Sequence, residues 1–188
     1  MTAPGAAAGC RHIGGAAPGR LAGVAAQVAI VVALMGADPC RAAAAAFGGV
    51  VTHVSDGDTL WVRPDGVPRA HAKPRAVRLR GIDAPESCQA WGPQAKAALE
   101  SRVLHRQVRV RSHASDDYHR SVVTLDLMGE DIGAWMVAQG HAWNTHFRQG
   151  AGAYADEEQA ARRARRGLFA DSQALEPRQF RKRHGPCR

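Results

Sequence analysis

The chain has 188 residues, with 25 Lys+Arg against 17 Asp+Glu, a formal charge of +8 and a sequence pI near 10.2. Only Lys73, Lys96 and Lys182 are lysines, so the positive charge is almost wholly arginine, whose planar fork suits phosphates and carboxylates. At 45% hydrophobic and 22% charged, the chain is globular and long enough for one ordinary domain. Wholesale disorder, collagen, a coiled coil and a multi-span membrane protein are excluded.

Residues 1–46 differ from the rest. Arg11 and Arg20 precede an apolar run from Leu21 to Ala37, and Ala44–Ala46 offers a small-residue cleavage site before Phe47. A basic start, a short apolar stretch and an A-x-A site are the pattern of a secretory signal peptide. A retained anchor is the other reading, the run being at the low end for crossing a bilayer. Either way the domain is expected to be exported, to the periplasm or beyond the cell. Without residues 1–46 the chain carries 22 basic and 16 acidic residues, so its domain is basic in its own right. That balance favours a polyanionic partner, nucleic acid or an acidic cell surface.

Cys10 and Cys40 fall within the leader, leaving Cys88 and Cys187. In an oxidising compartment these two are a candidate disulfide. It would close a loop of 100 residues, worth about 4–5 kcal/mol in the chain-entropy model. The alternative is two unrelated thiols. No C-x-x-C or suitably spaced histidine supports a zinc site.

Along the mature chain, Val50–Val54 and Leu60–Val62 flank an Asp56-Gly-Asp58 turn, a hairpin signal. From Arg75 to Ile82 the chain alternates Ala76, Arg78 and Arg80 with Val77, Leu79 and Gly81, placing basic side chains on one strand face. Gly92-Pro93 opens a helix over Gln94–Leu104, with proline in the first turn. Val108 and Val110 alternate with Arg109 and Arg111, and Val122–Leu127 forms a fifth strand stopped by Gly129. Asp131 is positioned to cap a helix over Ile132–Gln139, with Gly140 as its stop. A third helix sets Asp156–Glu158 at its start and Arg162–Arg166 at its end, matching the helix dipole, and Gly167 closes it. The basic tail, residues 177–188, reads as irregular. Short strands divided by turn residues predict a small barrel or sandwich. Trp61, Trp91, Trp135 and Trp143 are expected to pack, and His53 and His113 to be ordinary strand residues.

Three segments concentrate polar residues that packing does not require: Asp56-Gly-Asp-Thr59, Arg78-Leu-Arg-Gly-Ile-Asp-Ala-Pro-Glu86 and Asp116-Asp-Tyr-His-Arg120. Pro85 holds Ala84 extended, so Asp83 and Glu86 stand on a stiff turn. Carboxylates without clustered Cys or His suit a hard cation, calcium or magnesium. Arginines beside them suit phosphate, and a cation plus two arginines would neutralise charge on an attacked phosphodiester. A carboxylate that is not a tight ligand can orient or deprotonate water.

These segments in this order, with Gly92-Pro-Gln-Ala95 and Gly140-His-Ala-Trp143, resemble the staphylococcal nuclease (thermonuclease) family over about residues 47–169. The resemblance implies an α+β OB-fold, a five-stranded barrel with three helices, in a domain over residues 47–176. It implies a Ca2+-dependent nuclease acting on DNA and RNA, preferring single strands and leaving 3′-phosphate ends. Position by position, it makes Asp58, Asp83 and the Ala84 carbonyl the calcium ligands. Glu86 becomes the carboxylate beside the attacking water, Arg78 and Arg120 the stabilisers of the transition state, and Tyr118 a lining of the phosphate pocket.

The chain departs from the family's pattern at His119, where glycine is usual, and at Asp117, where the founding member has lysine. Only His146 and Phe147 stand near the expected later pocket tyrosines. A monomer with no stable protein partner is the default. Two other readings stand: an OB module that binds nucleic acid without cutting it, and a basic adhesion domain. The first usually lacks several of the metal or arginine positions filled here.

Overall fold

A computed structural model of the protein describes residues 46–68, 71–118, 120–145, 150–185 and 187. Residues 1–45 of the leader, His119, His146 and Phe147 lie outside the described residues.

Strand β1 (Ala46–Val54) turns through Asp56–Asp58 into β2 (Thr59–Pro64), antiparallel, with Val54 opposite Leu60. Val51 and Val54 are both fully buried although they are three residues apart, a spacing that strict alternation would split between two faces. The register shift between Val51 and His53 supplies the extra residue that turns both inward. β3 (Arg75–Leu79) pairs with β2, setting Arg78 opposite Thr59, and short β4 (Ile82–Asp83) follows.

Helix α1 (Gly92–Val103) starts after Trp91 in a left-handed conformation and carries Pro93 in its first turn. It buries Ala95, Leu99 and Val103. β5 (Gln107–Ser115) and β6 (Ser121–Leu127) then pair antiparallel, and β5 also pairs with β1. A parallel pairing of β3 with β6, Arg78 opposite Val122, closes the five long strands into a barrel. The architecture is that α+β barrel of OB type. Its core is aliphatic, with Val51, Leu60, Val62, Val77, Val110 and Leu125 all fully buried.

Short β7 (Glu130–Asp131) leads into α2 (Ile132–Ala138), where Asp131 caps as its position predicts, accepting from the N–H groups of Gly133 at 2.8 Å and Ala134 at 3.3 Å. β8 (Trp143–Asn144) pairs with β4, so the end of α2 and the Asp83 turn are stitched together. Helix α3 (Ala155–Arg163) ends earlier than the arginine run predicts, because Arg165 already adopts positive φ. Gly167 then opens a 3-10 turn, Gly167–Ala170.

Two expectations are corrected. The tail is helical: α4 (Pro177–His184) brings the count of α-helices to four among the described residues. Pro177 sits in its first turn, four basic residues occupy its last turn where the helix dipole favours them, and the Phe180 ring lies tilted against His184, centroids 4.6 Å apart. Charge density alone hid this, since basic tails are usually solvated. Trp61 is not a packing residue: it is 39% exposed on β2, with its ring N–H donated to Ser55 Oγ at 3.2 Å. Trp143 is buried, and Trp91 and Trp135 pack against the core.

Candidate active site

The Asp56–Thr59 turn is tight because Asp56 Oδ1 accepts the Asp58 N–H at 3.0 Å. Gly57 is required there: a Cβ would stand 2.6 Å from the Ala84 Cβ and 2.9 Å from the Ala95 Cβ. The turn therefore presses onto the Asp83–Glu86 segment, and Asp58 Oδ2 accepts the Ala84 N–H at 3.2 Å. Asp58 is 3% exposed, and burial pushes its pKa up to about 7, with Arg78 and the Ala84 N–H opposing the rise and Asp56 and Asp83 adding to it.

Arg78, across from Thr59 on β3, ties the two motifs together. Its Nη1 donates to Asp58 Oδ1 at 2.8 Å and its Nη2 to Asp83 Oδ1 at 2.9 Å. Burial works against its charge, but Asp58, Asp83 and Asp56 outweigh burial and hold its pKa above the ordinary arginine value. Thr59 extends the network, donating its hydroxyl to Asp58 Oδ1 at 2.9 Å and accepting from Arg120 Nη1 at 3.3 Å.

Arg120 enters from the loop between β5 and β6. Its N–H and Nε both reach Asp116, at 2.9 and 2.7 Å, and its guanidinium lies 5.2 Å from the centre of the Tyr118 ring. Desolvation raises the Asp116 carboxyl, but the bonds from the Arg120 N–H and guanidinium, with the Tyr118 N–H and the Arg120 charge, together outweigh it and hold the pKa below its ordinary value. Tyr118 is 79% exposed, its ring open to solvent beside the cleft.

Glu86 lies past Pro85, where its N–H is accepted by Gln89 Oε1 at 3.1 Å. Gly92 allows the chain to fold back here, since a Cβ would come within 1.9 Å of the Glu86 carbonyl oxygen. A cleft of about 420 Å³ gathers Asp58, Arg78, Ala84, Glu86, Tyr118 and Arg120. Asp83 faces an adjoining cleft that shares Arg78, Tyr118 and Arg120 with the first, and Asp117 lines that same side.

Every charged position named from the motifs thus falls within one connected neighbourhood. Thr59 and Asp116 were legible as motif members but carried no assigned contact. A third arginine in the cleft, Arg181 on α4, has no motif signal at all. Cys88 and Cys187 are joined as a disulfide, Cα to Cα 5.7 Å. His113 lies on the exposed side of β5, where Nε2 pairs with Thr124 Oγ1 at 2.8 Å, away from the cleft.

A cleft in which carboxylates and arginines interleave, carried on the rim of an OB-type barrel, defines a class of proteins equipped to meet a phosphate and a cation together. The comparison with known families is specific within that class: residues 76–171 match the family described as staphylococcal nuclease homologue. The chain belongs to the staphylococcal nuclease family. It is 32% identical to the micrococcal nuclease of Shigella flexneri over 86% of this chain and 92% of that protein. It is 34% identical to an uncharacterized endonuclease of Haemophilus influenzae, covering 70% of this chain and 71% of the relative. It is 37% identical to protein ParB of Escherichia coli, covering 71% and 78%.

Proposed function

We propose that the protein is an exported nuclease that hydrolyses phosphodiester bonds of DNA and RNA with the help of Ca2+, prefers single strands and leaves 3′-phosphate ends. The observation that carries this reading is the network in which Arg78 bridges Asp58 and Asp83 while Arg120 and Glu86 face the same cleft. Export is supported by the leader pattern and by the disulfide, which suits an oxidising compartment.

The donor set fits a hard divalent cation. Asp58 is a buried carboxylate whose charge burial opposes, which a cation would relieve, and Asp83 lies on the same guanidinium. Asp58, Asp83 and the Ala84 carbonyl would hold Ca2+, which when bound supplies Lewis-acid polarisation of a phosphoryl oxygen. The chain's own residues do the rest. Arg78 and Arg120 place their forks on the non-bridging oxygens, where charge grows as water oxygen bonds to phosphorus and the bond to the 5′-oxygen breaks. Glu86 accepts a hydrogen bond from the attacking water and can take its proton. Tyr118 offers a ring to a neighbouring base or phosphate. The open cleft suits a splayed backbone better than a paired one.

The test is cleavage of labelled single-stranded DNA and RNA by the full chain, with calcium, with magnesium and with chelator. Calcium-dependent cutting that disappears in Arg78→Ala is expected. Salt-sensitive binding without cutting in any metal would move the protein to the non-cleaving binding module.

A further inference from the structure

Arg181 reaches the cleft from the far end of the chain. Its Nη1 donates to Glu86 Oε1 at 2.5 Å and its Nη2 to Asp83 Oδ2 at 3.3 Å, across 95 and 98 residues of sequence. Glu86 is otherwise a carboxylate on an edge, its side chain 26% exposed, with several rotamers open to it. Two separate anchors bring α4 to this place. Cys187, just beyond the helix, is bonded to Cys88, two residues past Glu86. Gln89, 5% exposed, accepts the Glu86 N–H through Oε1 and donates Nε2 to the Leu175 carbonyl at 2.6 Å, just before α4. The turn that carries Glu86 is therefore pinned to the C-terminal segment on both sides of the helix.

We propose that Arg181 is a positioning residue for Glu86, presented to the cleft by α4 and locked there by the Cys88–Cys187 disulfide. This rests on the reading of Glu86 as the carboxylate that orients water. A guanidinium that fixes one carboxylate oxygen leaves the other oxygen aimed at a defined point, so the effect belongs to turnover and not to substrate capture. Exposed Arg183 on the same helix carries the same charge and serves as the control.

The experiment measures steady-state cleavage of a labelled single-stranded oligonucleotide by the full chain and its variants, each checked by circular dichroism and thermal melting. Arg181→Ala is expected to lower kcat about tenfold with KM held within about twofold. Arg181→Lys should recover part of the loss, and Arg183→Ala should leave kcat unchanged. The double variant Cys88→Ser/Cys187→Ser should lower kcat in the same direction, and adding Arg181→Ala to it should cost little more. Wild-type kcat in folded Arg181→Ala overturns the proposal, as does an equal rise of KM in Arg181→Ala and Arg183→Ala, which marks general attraction. Cleavage by neither wild type nor variants, with binding intact, overturns the nuclease reading and this inference together.

Discussion

Arg78 and Arg120 face one cleft from two unlike regions of the molecule. Arg78 stands on β3 inside the closed barrel, its strand hydrogen-bonded on both sides and its guanidinium divided between Asp58 and Asp83. Arg120 stands on the loop before β6, held by Asp116 four residues away and by a single long contact to Thr59. The barrel side is fixed by long-range pairing, whereas the loop side is fixed by short-range hydrogen bonds. A guanidinium held by the barrel arrives with its orientation already set, while one held by a loop depends on its local partner.

The largest expected effect is on the barrel side. Arg78→Ala should cut turnover by about 10³-fold and also lower the thermal midpoint, because Asp58 is left buried without its cation. Arg78→Lys should fare little better, since one ammonium cannot bridge two carboxylates as a fork does. Arg120→Ala should reduce turnover by about 10²-fold with the melting temperature nearly unchanged. Equal destabilisation by the two changes, read by calorimetry, would erase the contrast between the regions.

Asp116→Asn sharpens the loop side. It keeps the shape but loses the charge that holds Arg120, and an approximately tenfold loss of kcat is expected. The smallest effect lies away from both arginines. His141 accepts the Trp91 ring N–H at 3.2 Å through Nδ1, and burial holds its pKa below the ordinary 6.5. Its folded-state pKa is depressed, so its contribution to stability is present above about pH 6.5 and is lost as pH falls below it. Asp58, with its raised pKa, pulls the other way over the same range, so the readout is the difference between chains. From pH 7.5 down to 5 the urea midpoint of His141→Gln should fall less, or rise more, than that of the wild type. An equal change in both chains would remove His141 from the account.

Legibility followed the range of the interactions. The alternation of Val77 and Leu79 with Arg78 announced a strand with its basic face outside the core, and Leu79 is indeed 2% exposed. Asp131 as a cap was readable because its partners are two and three residues away. The bulge in β1 was not, since Val51 and Val54 look like a broken alternation until the partner strand is present. Trp61 misled because an indole on a strand usually packs, and only the closed barrel decides which face is wet.

What the sequence determined by itself was the set of local periods, turns and motif residues: strands, capped helices, and the carboxylates and arginines with their spacing. These depend on backbone sterics and side-chain alternation within a few residues. Tertiary structure alone decided that β3 would close the barrel against β6 and that Thr59 would link Arg78's network to Arg120. It also decided that Arg181 would meet Glu86. No local period encodes a contact across 95 residues; it exists because the disulfide, Gln89 and the closed barrel fix both ends in space.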